Sequence, residues 1–320
     1  MWKTVLRRIL VMIPQLFILS VLIFILAKLM PGDPFTGLIT PQTDPAALEE
    51  LRRKAGLLDP WHVQYVRWLK NAVSGNLGMS YTYNVPVKTL IGERAVNTFI
   101  LSLLSLILTY CIAIPLGMLA GRYQNSMLDK CVTFYNYVSY AIPTFVLSLI
   151  MIWFFGYTLG WFPTTGSVTA GLHTGTFGQI LDRIYHIILP AITYALLGTT
   201  WIVQYLRNEV IDAKNLDYVK TAKSKGVPEN KVYSRHIFRN SILPIAAFFG
   251  YSITGLLGGS IFIEKIFSYP GMGGLFVNSI ITRDYSVVTA LILLFGFLTL
   301  LGSLLSDIIL SIVDPRIRIE

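Results

Sequence analysis

The side chains that most often carry catalysis or bind metals are few in this sequence. Cys111 and Cys131 stand alone, so no disulfide framework is expected. The four histidines share no metal-ligand spacing; they are His62, His173, His186 and His236. No Gly-Lys dipeptide occurs, which excludes a phosphate loop of the Walker A type. We therefore predict that the chain is not an enzyme and binds no cofactor itself.

The polar segment with the clearest pattern is 207–240. Within it, Leu216, Val219 and Ala222 recur at the spacing of one helix face. Gly226 can adopt the left-handed backbone that ends a helix, and Pro228 suits the first turn of the next one. The pattern predicts a helix, a tight turn and a second helix. Lysines flank the first of these helices; they are Lys214, Lys220, Lys223 and Lys225.

Long apolar stretches on both sides hold this segment in place. Hydrophobic residues make up 54% of the chain and charged residues 13%, against roughly 25% charged residues in soluble domains. A helix that crosses a bilayer needs about 20 apolar residues. Six stretches have that length: 9–27, 98–120, 132–156, 187–206, 241–263 and 286–306. The sequence thus predicts an all-α integral membrane protein with six transmembrane helices.

Basic residues near the first stretch also raise the alternative of a cleaved signal peptide. The apolar run is longer than the core of a usual signal, and no small-residue cleavage pattern follows it. We expect it to be retained as a span. With six spans, an N-terminus on the cytoplasmic side places 207–240 and most of the Lys and Arg on that side. An excess of Lys and Arg on the cytoplasmic side is the usual pattern of membrane proteins. We predict that both termini are cytoplasmic, in a multi-pass protein of the cell membrane.

The chain divides into 1–30 with the first span, an external helical segment at 31–97, and a five-helix core at 98–320. Asp44-Pro45 and Asp59-Pro60 each predict the start of a short surface helix, ended by Gly56 and Gly75. The tryptophans of the second helix would either anchor it at the lipid headgroups or form a platform for a partner. We expect 157–186 to be a loop, and apolar 275–281 to be a short external or re-entrant helix.

Three interpretations of 207–240 need weighing. A helix-turn-helix that binds DNA is disfavoured because both ends are tethered to spans, so we expect no nucleic-acid partner. A basic loop lying on anionic lipid would explain the lysines. It would not explain the small face of Ala222 and Gly226, which has little apolar area to bury. Such a face suits insertion into a groove of a protein partner.

At this segment the chain resembles the permease subunits of ABC importers, specifically the oligopeptide, dipeptide and nickel branch. Residues 217–226 read Asp-Tyr-Val-Lys-Thr-Ala-Lys-Ser-Lys-Gly, and Ile-Leu-Pro follows at 242–244. Lys220 and Thr221 replace the Glu-Ala of the strict family pattern. Other stretches are similar to the same branch; they are Pro31-Gly-Asp-Pro34, Gln64-Tyr65, Trp68-Leu69, Gly75 to Ser80, Pro86-Val87 and Phe267 to Gly273. The chain is most similar to the first of the two permease subunits.

The resemblance implies a type I ABC importer permease fold and a coupling helix that is seated in a cytoplasmic ATPase. The residues that would form this ATPase-coupling loop are Leu216, Asp217, Tyr218, Val219, Thr221, Ala222, Lys225, Gly226, Val227 and Pro228. The implied partners are a second homologous permease subunit, two ATPase subunits that bind ATP and Mg, and an external substrate-binding protein or lipoprotein. The implied cargo is an oligopeptide that crosses the lipid bilayer.

Two alternatives remain open at this point. One is an importer of the same class for nickel or another small solute, since the binding protein selects the cargo. The other is a membrane scaffold or sensor that transports nothing. An ion-coupled carrier is disfavoured because the spans hold almost no ionisable residues beyond Lys28 and Asp307, both near span ends.

Overall fold

A computed structural model describes residues 2–29, 45–54, 56–171 and 175–313. Within these ranges every regular element is helical, and one isolated bridge joins Met79 to Pro86. The helices are α1 (Trp2–Leu29), α2 (Pro45–Lys54), α3 (Trp61–Val73), α4 (Val87–Arg122), α5 (Met127–Ala141), α6 (Thr144–Met151), α7 (Thr176–Ala213), α8 (Asp217–Ser224), α9 (Glu229–Lys231), α10 (Phe238–Ser241), α11 (Leu243–Gly255), α12 (Ile261–Ile266), α13 (Met272–Ile281) and α14 (Tyr285–Val313). π-Helical turns extend α6 over Ile152–Thr158 and precede α10 over Val232–Ile237.

Four of the helices in these ranges are long and apolar enough to cross a membrane: α1, α4, α7 and α14. The predicted third span is a pair, α5 and α6 with its π-helical extension, bent by 106°. Pro143 accounts for the bend, because a proline drives the residue before it, Ile142, out of the helical region. The backbone of Ile142 is accordingly extended, with φ −82° and ψ 120°.

The prediction of one continuous helix over 241–263 is wrong. The apolar helix α11 ends at Gly255, and α12 begins only at Ile261. Between them Gly259 has a φ of +63°, which a helix cannot continue through. The prediction of a loop over 157–186 is wrong in its second half, because α7 begins at Thr176. Polar residues lower the hydropathy of its first turns without preventing a helix.

The two short helices predicted before α4 are confirmed as α2 and α3, and Gly56 and Gly75 follow them with φ of +68° and +78°. The short apolar helix predicted at 275–281 is α13, which begins three residues earlier. The motif at 31–34 and Asp44 lie outside the described residues.

The most extensive helix packing joins α4 to α7. Gly117 and Gly121 on α4 face Leu206 and Val210 on α7. A Cβ at Gly121 would lie 2.7 Å from the Val210 Cβ, well inside van der Waals contact. The two glycines therefore allow the helix backbones to approach closely, as small residues do in membrane bundles. We call the end of the bundle that carries this contact and α8 the basic end.

A second pair of helices is formed by α11 and α14. The Ser306 hydroxyl on α14 donates to the Ala247 carbonyl on α11. A Cβ at Gly250 would collide with the Ser306 backbone. On its other side α14 meets α1, where Arg8 Nε lies 2.8 Å from Asp307 Oδ2. The three helices α1, α11 and α14 thus form one side of the molecule.

At the end of the bundle opposite the basic end, two buried carboxylates join neighbouring helices and the segments between them. Asp284 accepts hydrogen bonds from the Ser80 hydroxyl at 2.5 Å and the Thr82 amide at 3.1 Å, so it ties the segment before α4 to the start of α14. Glu264, which is 1% exposed, accepts from the Thr98 hydroxyl at 2.8 Å and the Gly274 amide at 2.9 Å. Glu264 therefore links α12, α13 and α4.

Gly121→Ala tests the packing of α4 against α7. The added methyl group meets Val210, and such overpacking costs about 1–3 kcal/mol, so we expect a lower thermal unfolding temperature in detergent. Gly92→Ala is the matched control on the same helix, where an added Cβ meets nothing within 4 Å. It should be neutral or stabilise by about 0.5–1 kcal/mol, because Ala favours a helix over Gly. Equal unfolding temperatures for the two variants would contradict the close contact.

Glu264→Gln tests the burial of the Glu264 carboxylate. Burial raises the pKa of Glu264, against the opposing hydrogen bonds from Gly274 and Thr98. The folded protein then holds this proton more tightly than the unfolded chain, so stability is lost as pH rises from the unfolded pKa through the folded pKa. Above pH 4.5, the wild-type unfolding temperature should therefore fall more steeply than that of Glu264→Gln. Glu50→Gln, on an exposed ion pair with Lys54, should keep the wild-type slope.

Candidate functional site

The predicted helix-turn-helix of 207–240 is confirmed as α8, a tight turn and α9. Leu216 occupies the N-cap position with an extended backbone but offers no side-chain cap. At the other end Gly226 has a φ of +72°. The Gly226 amide donates to the Lys223 carbonyl at 2.9 Å and the Val227 amide to the Ala222 carbonyl at 3.2 Å. This pair of bonds is the Schellman motif, in which glycine supplies the left-handed residue.

One face of α8 packs onto the chain itself. Val219 is fully buried and Ala222 is 6% exposed. Both belong to a cluster at the basic end that also contains Val210 and Ala213 of α7 and Val232, Tyr233 and Ile237 after α9. The sequence argument that Ala222 forms an outward small face is therefore wrong. The small side chain is needed because α8 lies close to α7 and the π-helical turn.

The other face of α8 points away from the chain. Leu216 is 51% exposed. The remaining outward residues are polar or small; they are Asp217, Lys220, Thr221, Lys223, Ser224, Lys225, Gly226 and Pro228. Lys220 Nζ lies 3.0 Å from Asp217 Oδ1, an exposed pair that leaves the other lysines to dominate the charge. The face is basic with one apolar side chain.

The ten sequence-predicted residues therefore form one continuous element with two roles. Val219, Ala222 and the half-buried Val227 fix the element to the chain, and Tyr218 packs at the margin of the same cluster. The other six lie on the exposed side; they are Leu216, Asp217, Thr221, Lys225, Gly226 and Pro228. These six are the ones that a partner could contact.

Residues just before α8 and just after α9 contact the end of α4 and the turn that joins α4 to α5. Lys214 Nζ donates to the Gln124 side chain at 2.8 Å and approaches the Gly121 carbonyl at 3.4 Å. Burial, and secondarily the nearby Arg207, lower the pKa of Lys214. Arg122 stacks over the Tyr233 ring at 4.9 Å. These contacts therefore fix both ends of the segment that contains α8 and α9.

The pairing of Asp129 with Arg207 was not predicted from the sequence. Two hydrogen bonds of 2.5 and 2.8 Å join the guanidinium to the carboxylate, and both side chains are largely buried. Asp129 also accepts from the Asn125 amide at 2.8 Å, while its own amide donates to the Ser126 hydroxyl. Ser126 three residues before Asp129 is a recognisable helix-start pattern. Nothing in the sequence indicates the partner on α7.

A continuous path leads from α8 into the bundle. Pro228 starts α9, the π-helical turn buries Val232 and Ile237, and α10 leads directly to α11. Packed side chains and continuous backbone therefore connect α8 to α7 and α11.

Ala222→Leu tests which face of α8 is inward. The larger side chain would overpack the cluster at the basic end, so we expect a loss of about 1–3 kcal/mol and faster proteolysis within 214–228. Ser224→Leu adds a leucine two residues away on the exposed face, and its thermal stability should stay within about 0.5 kcal/mol of wild type. Equal effects of the two changes on unfolding in detergent would show that α8 does not pack as described.

Comparison with known proteins agrees with this architecture. Residues 113–319 match the family described as binding-protein-dependent transport system inner membrane component, and residues 1–102 match the N-terminal family of the same transport systems. The chain is 41% identical to the oligopeptide transport system permease protein AppB of Bacillus subtilis over 98% of both chains. It is 33% identical to the glutathione transport system permease protein GsiC of Escherichia coli over 99% of both chains. The chain therefore belongs to the family of binding-protein-dependent transport system inner membrane components, as a permease and not as the ATPase.

Proposed function

We propose that this chain is the permease subunit of an ATP-driven importer that translocates oligopeptides delivered by an external binding protein. The observation that carries the proposal is the likeness to AppB along nearly the whole chain. The likeness to a permease for glutathione, itself a short peptide, supports the same class of cargo. Nickel or another small solute is the alternative cargo. Membership in a permease family disfavours the scaffold or sensor.

Family membership also gives the general setting. The chain is a multi-pass protein of the inner membrane and works with an ATPase and a binding protein. ATP is bound by the ATPase partner. Within that setting we propose one second homologous permease, two ATPase subunits and a lipid-anchored or periplasmic binding protein.

We further propose that the exposed face of α8 docks into a cleft of the ATPase. Leu216 would insert as an apolar anchor, and the lysines around it would meet acidic groups at the rim of the cleft. This requires the basic end to be cytoplasmic, with both chain termini on the same side. The excess of Lys and Arg at this end supports that orientation.

The packing around α8 supports a coupling role as well as docking. Because Val219 and Ala222 are packed against the end of α7, a movement of the ATPase would displace α7 and α11 together with α8. Two discrete arrangements of the bundle would then open the path alternately to each side of the membrane.

Leu216→Asp separates docking from folding. Leu216 is an N-cap without a side-chain hydrogen bond, and Asp at that position stabilises a helix by about 1 kcal/mol. We expect the variant to unfold no earlier than wild type, yet to lose the ATPase on co-purification and at least tenfold of ATP-dependent tri- to hexapeptide uptake. Leu58→Asp, at a similarly exposed leucine of the opposite end, should keep the ATPase.

The outcomes of this experiment distinguish the parts of the proposal. Uptake of nickel or another solute without peptide uptake would support the proposed importer and contradict the proposed peptide cargo. Retention of the ATPase by Leu216→Asp, with normal uptake, would overturn the docking face. Failure of any ATPase to co-purify with the wild-type chain would overturn the importer itself.

A further inference from the structure

A pocket of about 260 Å³ lies between α4, α7 and α11. Its walls come from the middle third of α4, the middle of α7 and the last turn of α11, so it lies well inside the spans. Six hydroxyl-bearing residues line it: Ser102, Ser105, Thr109, Tyr110, Tyr194 and Ser252. Trp201 and aliphatic side chains form the rest of the wall, and every lining residue is uncharged.

The hydroxyls of this pocket are not all used by the protein. Ser105 donates to the Leu101 carbonyl of its own helix at 2.7 Å, and Thr109 reaches the Ala195 carbonyl of α7 at 3.4 Å. Ser102 is 5% exposed, and its hydroxyl has no hydrogen-bond partner among the described residues. A buried hydroxyl without a partner destabilises the folded protein. Because Ser102 lines the pocket, rotation of its side chain toward a polar group bound there would give the hydroxyl a partner.

The pocket has an open side. Gly198, Trp201 and Gly255 are exposed at its edge. A Cβ built at Gly255 meets nothing within 4 Å, so none of the described residues fills the space beside Gly255. A ligand can therefore enter from the surface of the subunit without a rearrangement of its helices.

We propose that this pocket binds a neutral stretch of the transported peptide, one backbone amide with an adjoining apolar side chain, during its passage through the membrane. The proposal rests on the proposed peptide cargo. Hydroxyls donate and accept, so they can pair with both the N–H and the C=O of any peptide backbone. The uncharged walls suit the middle of a peptide and not its charged ends, since burying an unpaired charge is costly.

Both the size and the chemistry of the pocket fit one part of an oligopeptide. Sites that enclose a whole small molecule measure about 300–1,000 Å³, so this pocket holds only part of an oligopeptide. The hydroxyls can rotate to bind the backbone of the peptide, and Trp201 would lie beside one of its apolar side chains. Neither contact requires a particular peptide sequence. The site would thus slow a passing peptide without selecting one.

Gly255→Phe and Ser102→Ala test the pocket by uptake in vesicles that hold the complete transporter. Gly255→Phe places a ring in the open side, and we expect at least a tenfold loss of peptide uptake with the ATPase still bound. Gly255→Ala, which leaves most of the volume, should retain uptake. Ser102→Ala should raise the KM for peptide threefold or more, whereas Ser148→Ala on α6, outside the pocket, should not, because the Ser148 hydroxyl donates to the Thr144 carbonyl of its own helix.

A tripeptide that carries a photoreactive leucine at its centre supplies a direct readout. After illumination we expect covalent adducts within 102–110, 194–202 and 252–256, abolished by Gly255→Phe. Normal uptake by Gly255→Phe, or adducts found only outside these ranges, would overturn the pocket and leave the peptide importer standing. Absence of any peptide uptake by the wild-type transporter would overturn the importer of peptides, and the pocket proposal with it.

Discussion

The contact between α4 and α7 is the constraint on which the basic end depends. Gly117 and Gly121 bring two long helices together, so the ends of both are fixed relative to each other. The ion pair of Asp129 with Arg207 then positions α5 against the same end of α7. In a membrane, where water does not drive helices together, such close packing and buried polar pairing are the available sources of cohesion. α8 packs against the helix ends that these contacts hold in place.

Two sets of helices follow from the packing. One consists of α4, α5 and α7, and the other of α11, α14 and α1. The chain passes from the first to the second through α8, α9 and α10, so the exposed element lies at the covalent connection between them. The hydroxyl-lined pocket lies where the two sets face each other, with α4 and α7 on one side and α11 on the other. The connecting segment α8 to α10 and the hydroxyl-lined pocket therefore lie at the same boundary between the two sets of helices.

Length and hydropathy were sufficient to predict an all-helical membrane chain, and turn residues predicted α2, α3 and the end of α8 at Gly226. These signals are local, so one stretch of sequence contains them. The direction of Ala222 could not be obtained in this way, because a small residue suits an inward contact as well as an outward one. The bend at Pro143 and the end of α11 at Gly255 were also missed, since an apolar run has the same hydropathy whether or not its helix is continuous. The partners of Asp129 and Glu264 are distant in sequence, and only the fold brings them together.

The early end of α11 changes how the chain must meet the bilayer. Thirteen residues of helix rise about 20 Å, whereas the hydrocarbon layer is about 30 Å thick. Two amides of the non-helical residues 256–260 are paired within the chain, since Leu256 donates to the Ile253 carbonyl at 3.2 Å and Gly258 to the Gly255 carbonyl at 3.0 Å. Unpaired backbone inside a bilayer is tolerated only against protein or water. Gly259 lies against Thr98 and the Glu264 carboxylate on one side. Leu256 is buried and residues 257–260 are half-buried, so the chain itself covers much of the break in α11.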